Sequence, residues 1–323
     1  MNLIRLAGRK ALDTLQIYWE LVRIVVPVTL ATQLLSELGV IAAIAPALSP
    51  VMAVFGLPAD LGLAWLTAML VGIWSAVPLI FVLVDPSELT VADITIFSSL
   101  ILFAHGLPIE QKIIQKAGPG FIVTTLLRVL GGALYAIILH QICTATGWLS
   151  EPLHPTWMPM SGASDWPGFF LGLVETLFWM LIILVVLAWG LDFLKHSGLM
   201  TPVNRALDPV LGLSGIKAEA RPFTAIGLFL GISYGGGLLI REARTGSVSP
   251  RQVFAACVFM GFAHGIIEDT LIVMALGADF SAVFLGRIAF AMLATALIIR
   301  LLRHAPDDLF FSWLFARRQA AGG

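Results

Sequence analysis

Long uncharged apolar runs, separated by short polar or proline-rich breaks, fill this chain. Ile24 to Ser36 extends a first helix. Leu38 to Ala59 is uncharged but interrupted by Pro46, Pro50 and Pro58. Leu61 to Val84 is long enough for a full span; Ile94 to Ile109 is shorter and ends in a Gly-Leu-Pro break; Val129 to Ser150 is another full span. A helix needs about 20 apolar residues to cross a bilayer's hydrocarbon core, so the pattern predicts membrane helices. Glu151 to Pro167, which holds Trp157 and Trp166 and follows Trp148, reads as an extramembrane linker with interfacial aromatics. The first residues, MNLIRLAGRKALDTLQ, lack the apolar core of a cleavable signal. They read as a basic amphipathic helix on the cytoplasmic face, through Arg5, Arg9 and Lys10.

After the linker the pattern starts again. FAHG occurs at Phe103 to Gly106 and at Phe262 to Gly265, an offset of 264 − 105 = 159. The same offset, without a gap, pairs Gly39 with Gly198, Pro50 with Pro209, Gly56 with Gly215 and Gly72 with Gly231. It also pairs Gly118 with Gly277, Phe121 with Phe280 and Arg128 with Arg287. Chance in a Leu/Ala-rich chain matches Leu and Ala; it does not readily match His and Arg, so the halves read as an internal duplication. Lys and Arg cluster at the N-terminus, at Lys195, Arg205, Lys217 and Arg221, and at the C-terminus, but are absent from Glu37 to Asp60 and from the linker. Equivalent loops then fall on opposite sides, as inverted repeats require. Arg241, Arg244 and Arg251 dissent, since that reading puts them outside. The expected fold is an all-α polytopic membrane protein of two tandem repeats in inverted topology, with broken helices or hairpins. Its expected parts are an amphipathic helix (1–16), repeat 1 (17–145), a periplasmic linker (146–167), repeat 2 (168–304) and a cytoplasmic tail (305–323).

Composition agrees: 59 % of residues are hydrophobic, 12 % are charged and the mean hydropathy is +0.94. That excludes a cytosolic enzyme, a nucleic-acid binder and a disordered chain. The net charge of −1 offers no global basic field for nucleic acid. Cys143 and Cys257 lie in apolar runs and read as buried free thiols.

Three constellations could carry chemistry. Gly231, Ser233, Tyr234, Gly235, Gly236 and Gly237 form a glycine-rich break whose repeat mate, Gly72 to Pro78, contains Trp74 and Ser75. Paired breaks point to a transporter's binding site, where freed backbone groups hold a polar solute; close packing by small residues is the plainer alternative. The second is FAHG followed by acids: His264, Glu268 and Asp269 in one half, His105 and Glu110 in the other. Ionisable groups at membrane depth are functional candidates, here for solute or proton binding. A divalent-metal site and a surface turn stay open as alternatives. The third is Arg128 and Arg287, each 23 residues after its histidine (128 − 105 and 287 − 264). Each needs a carboxylate or carbonyl partner, Glu110, Glu268 and Asp269 being the evident acids, unless it binds an anion or snorkels to the interface. Gly231 to Gly235 also matches G-x-S-x-G, which would make Ser233 the nucleophile of an intramembrane hydrolase; its repeat mate is Trp74, which sets the serine outside the shared framework.

The segments GISYGGGLLIRE (Gly231 to Glu242) and FAHGIIEDTLIVMALGAD (Phe262 to Asp279) resemble the nucleoside-recognition, or Gate, membrane proteins. That group includes spore maturation proteins and is related to the gates of the ferrous-iron and concentrative nucleoside transporters. The resemblance implies a transporter-like helical fold with inverted repeats and a central site at broken helices, formed by Gly231 to Gly237, His264, Glu268 and Asp269. The sequence departs from the iron transporter in carrying no GTPase domain.

The expected function is secondary-active transport of a small polar or anionic solute, nucleoside-like or an organic anion, across the bacterial inner membrane, with proton coupling open. Both termini are expected in the cytoplasm. A non-transporting scaffold or assembly subunit is the alternative, and the Ser233 hydrolase a third reading. The expected partners are the solute and the lipid bilayer, with a homodimer open, and neither a cofactor nor a metal is assigned.

Overall fold

The computed structural model describes residues 3–155, 166–198 and 200–315. Among these the chain is a polytopic all-α membrane protein without a β-strand. The first half comprises α1 (Leu3–Glu37), α2 (Val40–Ala53), α3 (Leu61–Leu70), α4 (Ile73–Leu83), α5 (Val91–Phe103), α6 (Leu107–Ala117) and α7 (Phe121–Thr146). The second comprises α8 (Trp166–His196), α9 (Met200–Leu213), α10 (Arg221–Thr245), α11 (Pro250–Ala263), α12 (Glu268–Ala275) and α13 (Arg287–Leu302), the last preceded by a π-helical turn, Ser281–Gly286.

The 159-residue offset persists in the geometry. Gly39/Gly198, Gly56/Gly215, Gly72/Gly231, Gly106/Gly265 and Gly118/Gly277 all have positive φ. The Leu57 N–H donates to Met52 O at 3.1 Å, and its mate Ile216 to Leu211 O at 2.9 Å. Leu126, Leu134, Ile138 and Ile142 on α7 are exposed, as are their mates Leu285, Leu293, Leu297 and Leu301. With Ile122 and Leu130 they make a stripe repeating every four residues, one face of a helix turned to lipid.

By length and apolarity alone five helices could cross a bilayer, or six if the pair α5 and α6, bent by 40°, is one span. Ala218–Thr245 is among the five, yet it cannot run straight. The α10 helix has 25 residues, about 37 Å if straight. Its two ends nevertheless meet one neighbourhood. The Lys217 N–H donates to Gln252 Oε1 at 2.7 Å, and Ser249 Oγ to Glu219 Oε1 at 3.1 Å. The segment from Thr245 to Ser249 reaches at most about 14 Å. So α10 folds back on itself at Gly231 (φ 72°, ψ 169°), where its helical dihedrals fail. In the first half α3 and α4 lie against each other across Gly72 (φ 141°, ψ 171°). Leu61 to Val84, expected as a single span, is therefore two short helices.

Loop contacts gather at two ends. At one, Leu153 N–H donates to Leu89 O at 3.0 Å, Val91 N–H to Glu151 O at 3.1 Å, and Asp279 N–H to Thr95 Oγ1 at 3.0 Å, while Gly277 abuts Leu153. At the other, Gly120 N–H donates to Leu314 O at 2.8 Å, Gly118 abuts Phe315, and Arg251 reaches Leu302 O and Asp307.

Three expectations need correction or fall outside. The α1 helix runs unbroken through residue 16, so no separate amphipathic helix ends there; the side chains of Arg5, Arg9 and Lys10 lie outside the described residues. Linker residues 156–165, with Trp157, and tail residues 316–323 do so too. The described tail folds back through Asp307–Leu309 and Phe310–Leu314, burying Phe310. Both cysteines are free and buried.

Candidate functional site

Four helix starts meet at the centre. The α4 and α6 helices begin at Gly72 and Gly106, α12 begins after Ile267, and the second leg of α10 begins after Gly231; α4, α6 and α12 have no side-chain cap. Only glycine holds backbone like that at Gly72 and Gly231 without strain. Residues at these starts line a cavity of about 260 Å³: Gly72 to Ser75, Glu110, Gly231, Ser233, Tyr234, Glu268 and Asp269, with His105 and His264 from the two FAHG turns. Uncapped helix N-termini carry partial positive charge, which favours acids in their first turns; Glu110, Glu268 and Asp269 occupy those places.

The histidines are mates and sit face to face, ring centroids 4.9 Å apart. His105 Nδ1 lies 2.8 Å from Ile101 O and His264 Nδ1 lies 2.9 Å from Met260 O. A carbonyl only accepts, so both rings carry hydrogen on Nδ1 and turn Nε2 to the centre. There His264 Nε2 lies 3.2 Å from Glu110 Oε2, and His105 Nε2 lies 3.8 Å from Glu110 Oε1 and 3.7 Å from Asp269 Oδ2.

The arginines clamp the turns from behind. Arg128 Nε donates to Phe103 O at 2.7 Å and Nη2 to His105 O at 3.1 Å; Arg287 Nε donates to Phe262 O at 2.8 Å and Nη2 to His264 O at 2.8 Å. Carbonyls exposed by a broken helix are thereby satisfied. The two then diverge. Arg128 Nη1 donates to Glu110 Oε2 at 2.6 Å, and its Nη2 stands 3.2 Å from His264 Nε2. Arg287 takes a third carbonyl, Leu102 O, at 2.9 Å, and its Nη1 has no partner among the described residues. The offset explains this: the mate of Glu110 is Asp269 (110 + 159), one methylene shorter.

Several site expectations shift accordingly. Glu268 and Asp269 were candidate partners for Arg287, but neither pairs with it: its Nε and Nη2 donate to carbonyls and its Nη1 has no partner among the described residues, while Glu268 lines the cavity with Trp74. His264 caps the end of α11 and Glu268 opens α12, so no continuous helix puts them on one face. Gly235, Gly236 and Gly237 do not line the cavity. Gly236 lies against Ile113 of α6, where a side chain would collide, so close packing accounts for it. Ser233 Oγ donates to Glu110 Oε1 at 3.0 Å. Sequence reasoning missed the carbonyls of Leu102, Phe103 and Phe262, which no side-chain pattern announces. It also missed the Glu110–Asp269 equivalence, which the offset contained.

Residues 177–280 match the nucleoside recognition (Gate) family. The match spans α10, α11 and α12, the second half's whole share of the cavity, and bears out the resemblance read from the two motifs. A relative, the uncharacterized membrane protein YvoD of Bacillus subtilis (strain 168), is 27 % identical over 306 residues, covering 92 % of this chain and 95 % of the relative. No solved structure matches.

Proposed function

We propose that the protein is a secondary-active transporter of a small polar solute in the bacterial inner membrane, its two halves inverted around the central cavity. The observation that carries this reading is the cavity itself: both halves line it, with uncapped helix starts and ionisable side chains. A volume of about 260 Å³ falls just below the ~300–1,000 Å³ of pockets for drug-sized ligands, so the solute is small. The arginines are turned away to carbonyls and Glu110, and no Lys or Arg lines the cavity among the described residues. This favours a cationic or uncharged hydrogen-bonding solute, a compact nucleoside-like molecule included, over an organic anion. The inward Nε2 atoms beside Glu110 offer a place for a coupled proton.

The loop contacts support inversion. The turns near Leu89, Leu153 and Gly277 share one end; their mates near Val248, Ser312 and Gly118 belong to the other. The hairpin in α10 also removes the dissent of Arg241, Arg244 and Arg251. They fall at the same end as Lys217, Arg221, Arg300 and Arg303, while 37–60, 85–90, 147–155 and 277–279 carry no Lys or Arg. The positive-inside rule then makes the basic end cytoplasmic.

A non-transporting scaffold would want a closed, dry centre, which the cavity argues against. The hydrolase reading needs a base for Ser233, whose hydroxyl is given to Glu110, an ion-paired carboxylate. Purified protein screened for thermal stabilisation by nucleosides, amines, metals and organic acids, followed by counterflow of the hits in liposomes, tests the proposal. Stabilisation with exchange across the membrane is expected; silence in both would return the scaffold.

A further inference from the structure

We infer that His105, His264 and Asp269, with Glu110 beside them, form a binding site for a divalent transition-metal cation. This deepens the carrier reading, from which it takes the access route to the cavity. One ligand atom from each of His105, His264 and Asp269 lies within 4.8 Å of the others, and all three residues are buried. Donors around a tetrahedral ion of the zinc type stand about 3.4 Å apart, so side-chain adjustment of about an ångström closes the set. Two of the distances already approach this: 3.7 Å for His105 Nε2 to Asp269 Oδ2, and 3.8 Å for His105 Nε2 to Glu110 Oε1.

Three features distinguish the set from a chance cluster. Each imidazole donates Nδ1–H to a backbone carbonyl four residues back, which fixes the ring and leaves Nε2 free to coordinate; metal-ligating histidines are held in this way. The acceptors outnumber the donors: two Nε2 lone pairs and two carboxylates converge, and Arg128 and Ser233 both serve Glu110. The Asp269 side chain, with the residue 8 % exposed, accepts no hydrogen bond from the described residues and is aimed at His105. Its carboxylate folds over Gly265, where a Cβ would collide with it, so the turn is shaped to hold it there. Arg128, 3.2 Å from His264 Nε2, is the competing cation. On ion entry His264 exchanges that contact for the metal, while Glu110 stays on Arg128 through Oε2 and offers Oε1. Imidazole with carboxylate selects Zn, Co, Ni or Mn over Ca or Mg.

The test uses Co2+ as a spectroscopic probe on the purified full chain in detergent. Expected is saturable visible absorption at one Co2+ per chain, displaced by Zn2+ and not by Ca2+. Loss of an outer-shell partner of a metal site costs 10–100-fold in affinity, so loss of a ligand in Asp269→Asn or His105→Gln should weaken binding by roughly 100-fold or more. Asp269→Asn keeps the side-chain shape, and an unchanged unfolding midpoint without metal separates lost ligation from lost folding. No saturable Co2+ binding by the wild type, or equal binding by both folded variants, overturns the site. Counterflow in liposomes separates the two readings. Exchange of a solute without Co2+ binding overturns the metal site and leaves the carrier; Co2+ binding without exchange of any solute supports the site and removes the carrier.

Discussion

At the scale of residues, two arginines with the same sequence context do different work because one acid is a methylene shorter. Arg128 is ion-paired to Glu110 and Arg287 holds only carbonyls. Removing one partner of a buried pair costs about 3–5 kcal/mol, because the other charge is stranded. Arg128→Met should therefore destabilise by that order in detergent unfolding, and adding Glu110→Gln should restore part of it; strictly additive losses would mean that the two do not couple. The complementary substitution is Asp269→Glu. The extra methylene lets the carboxylate reach Arg287 Nη1, as Glu110 reaches Arg128. Unfolding should then become harder by roughly 1–3 kcal/mol, the range of a hydrogen bond to a charged group. Solute binding should fall, because the carboxylate withdraws from the cavity. A variant with both properties unchanged would show that Asp269 has no special place. Both arginines, both histidines and all three acids were legible in the sequence, because charge in an apolar run is conspicuous. Their pairing was not, since carbonyl acceptors leave no trace in residue type.

At the scale of elements, the interrupted helices are what sequence reading located well and shaped poorly. Gly72 and Gly231 were visible as matched breaks. That α10 folds back at its break was not, because a hairpin and a straight span of the same length have the same composition. The distinction rests on contacts remote in sequence, Lys217 with Gln252 and Glu219 with Ser249. The glycine run was divided by the fold: Gly231 shapes the turn, whereas Gly236 admits Ile113 of α6. At Gly72 and Gly231 nothing lies within 4 Å of where a Cβ would stand. Any cost of Gly72→Ala or Gly231→Ala is therefore conformational, about 1–3 kcal/mol for a residue forced into such φ and ψ. Both should lower the unfolding midpoint and weaken solute binding, because relaxing the turn moves the helix starts off the cavity. Gly237→Ala, at a helical position with open space, should change neither. Equal tolerance at all three glycines, measured by unfolding and binding, would mean that the breaks are not held by their dihedrals.

At the scale of the whole molecule, the halves make self-paired contacts: Phe103 packs on Phe262 at 5.9 Å and His105 faces His264 at 4.9 Å. A two-fold axis brings mates together in this way whether it lies in the membrane plane or along its normal, so those contacts alone do not choose. The proposed inversion rests on the loops instead: equivalent turns fall in two separate contact groups, and the basic residues collect with one of them. This makes a sharp test of sidedness through the hairpin. With Cys143 and Cys257 replaced, single cysteines are introduced as Glu88→Cys, Lys217→Cys and Ser247→Cys, three exposed loop positions. Glu88 and Ser247 are repeat mates (88 + 159), so inversion sets them on opposite faces, whereas Lys217 and Ser247 flank one hairpin and share a face. An impermeant maleimide should label the cysteine at 88 in intact cells, and those at 217 and 247 only after lysis. Labelling at 88 and 247 from the same side would make the repeats parallel. Labelling at 217 and 247 from opposite sides would make α10 a true span, and would return Arg241, Arg244 and Arg251 to the outer face against the positive-inside rule.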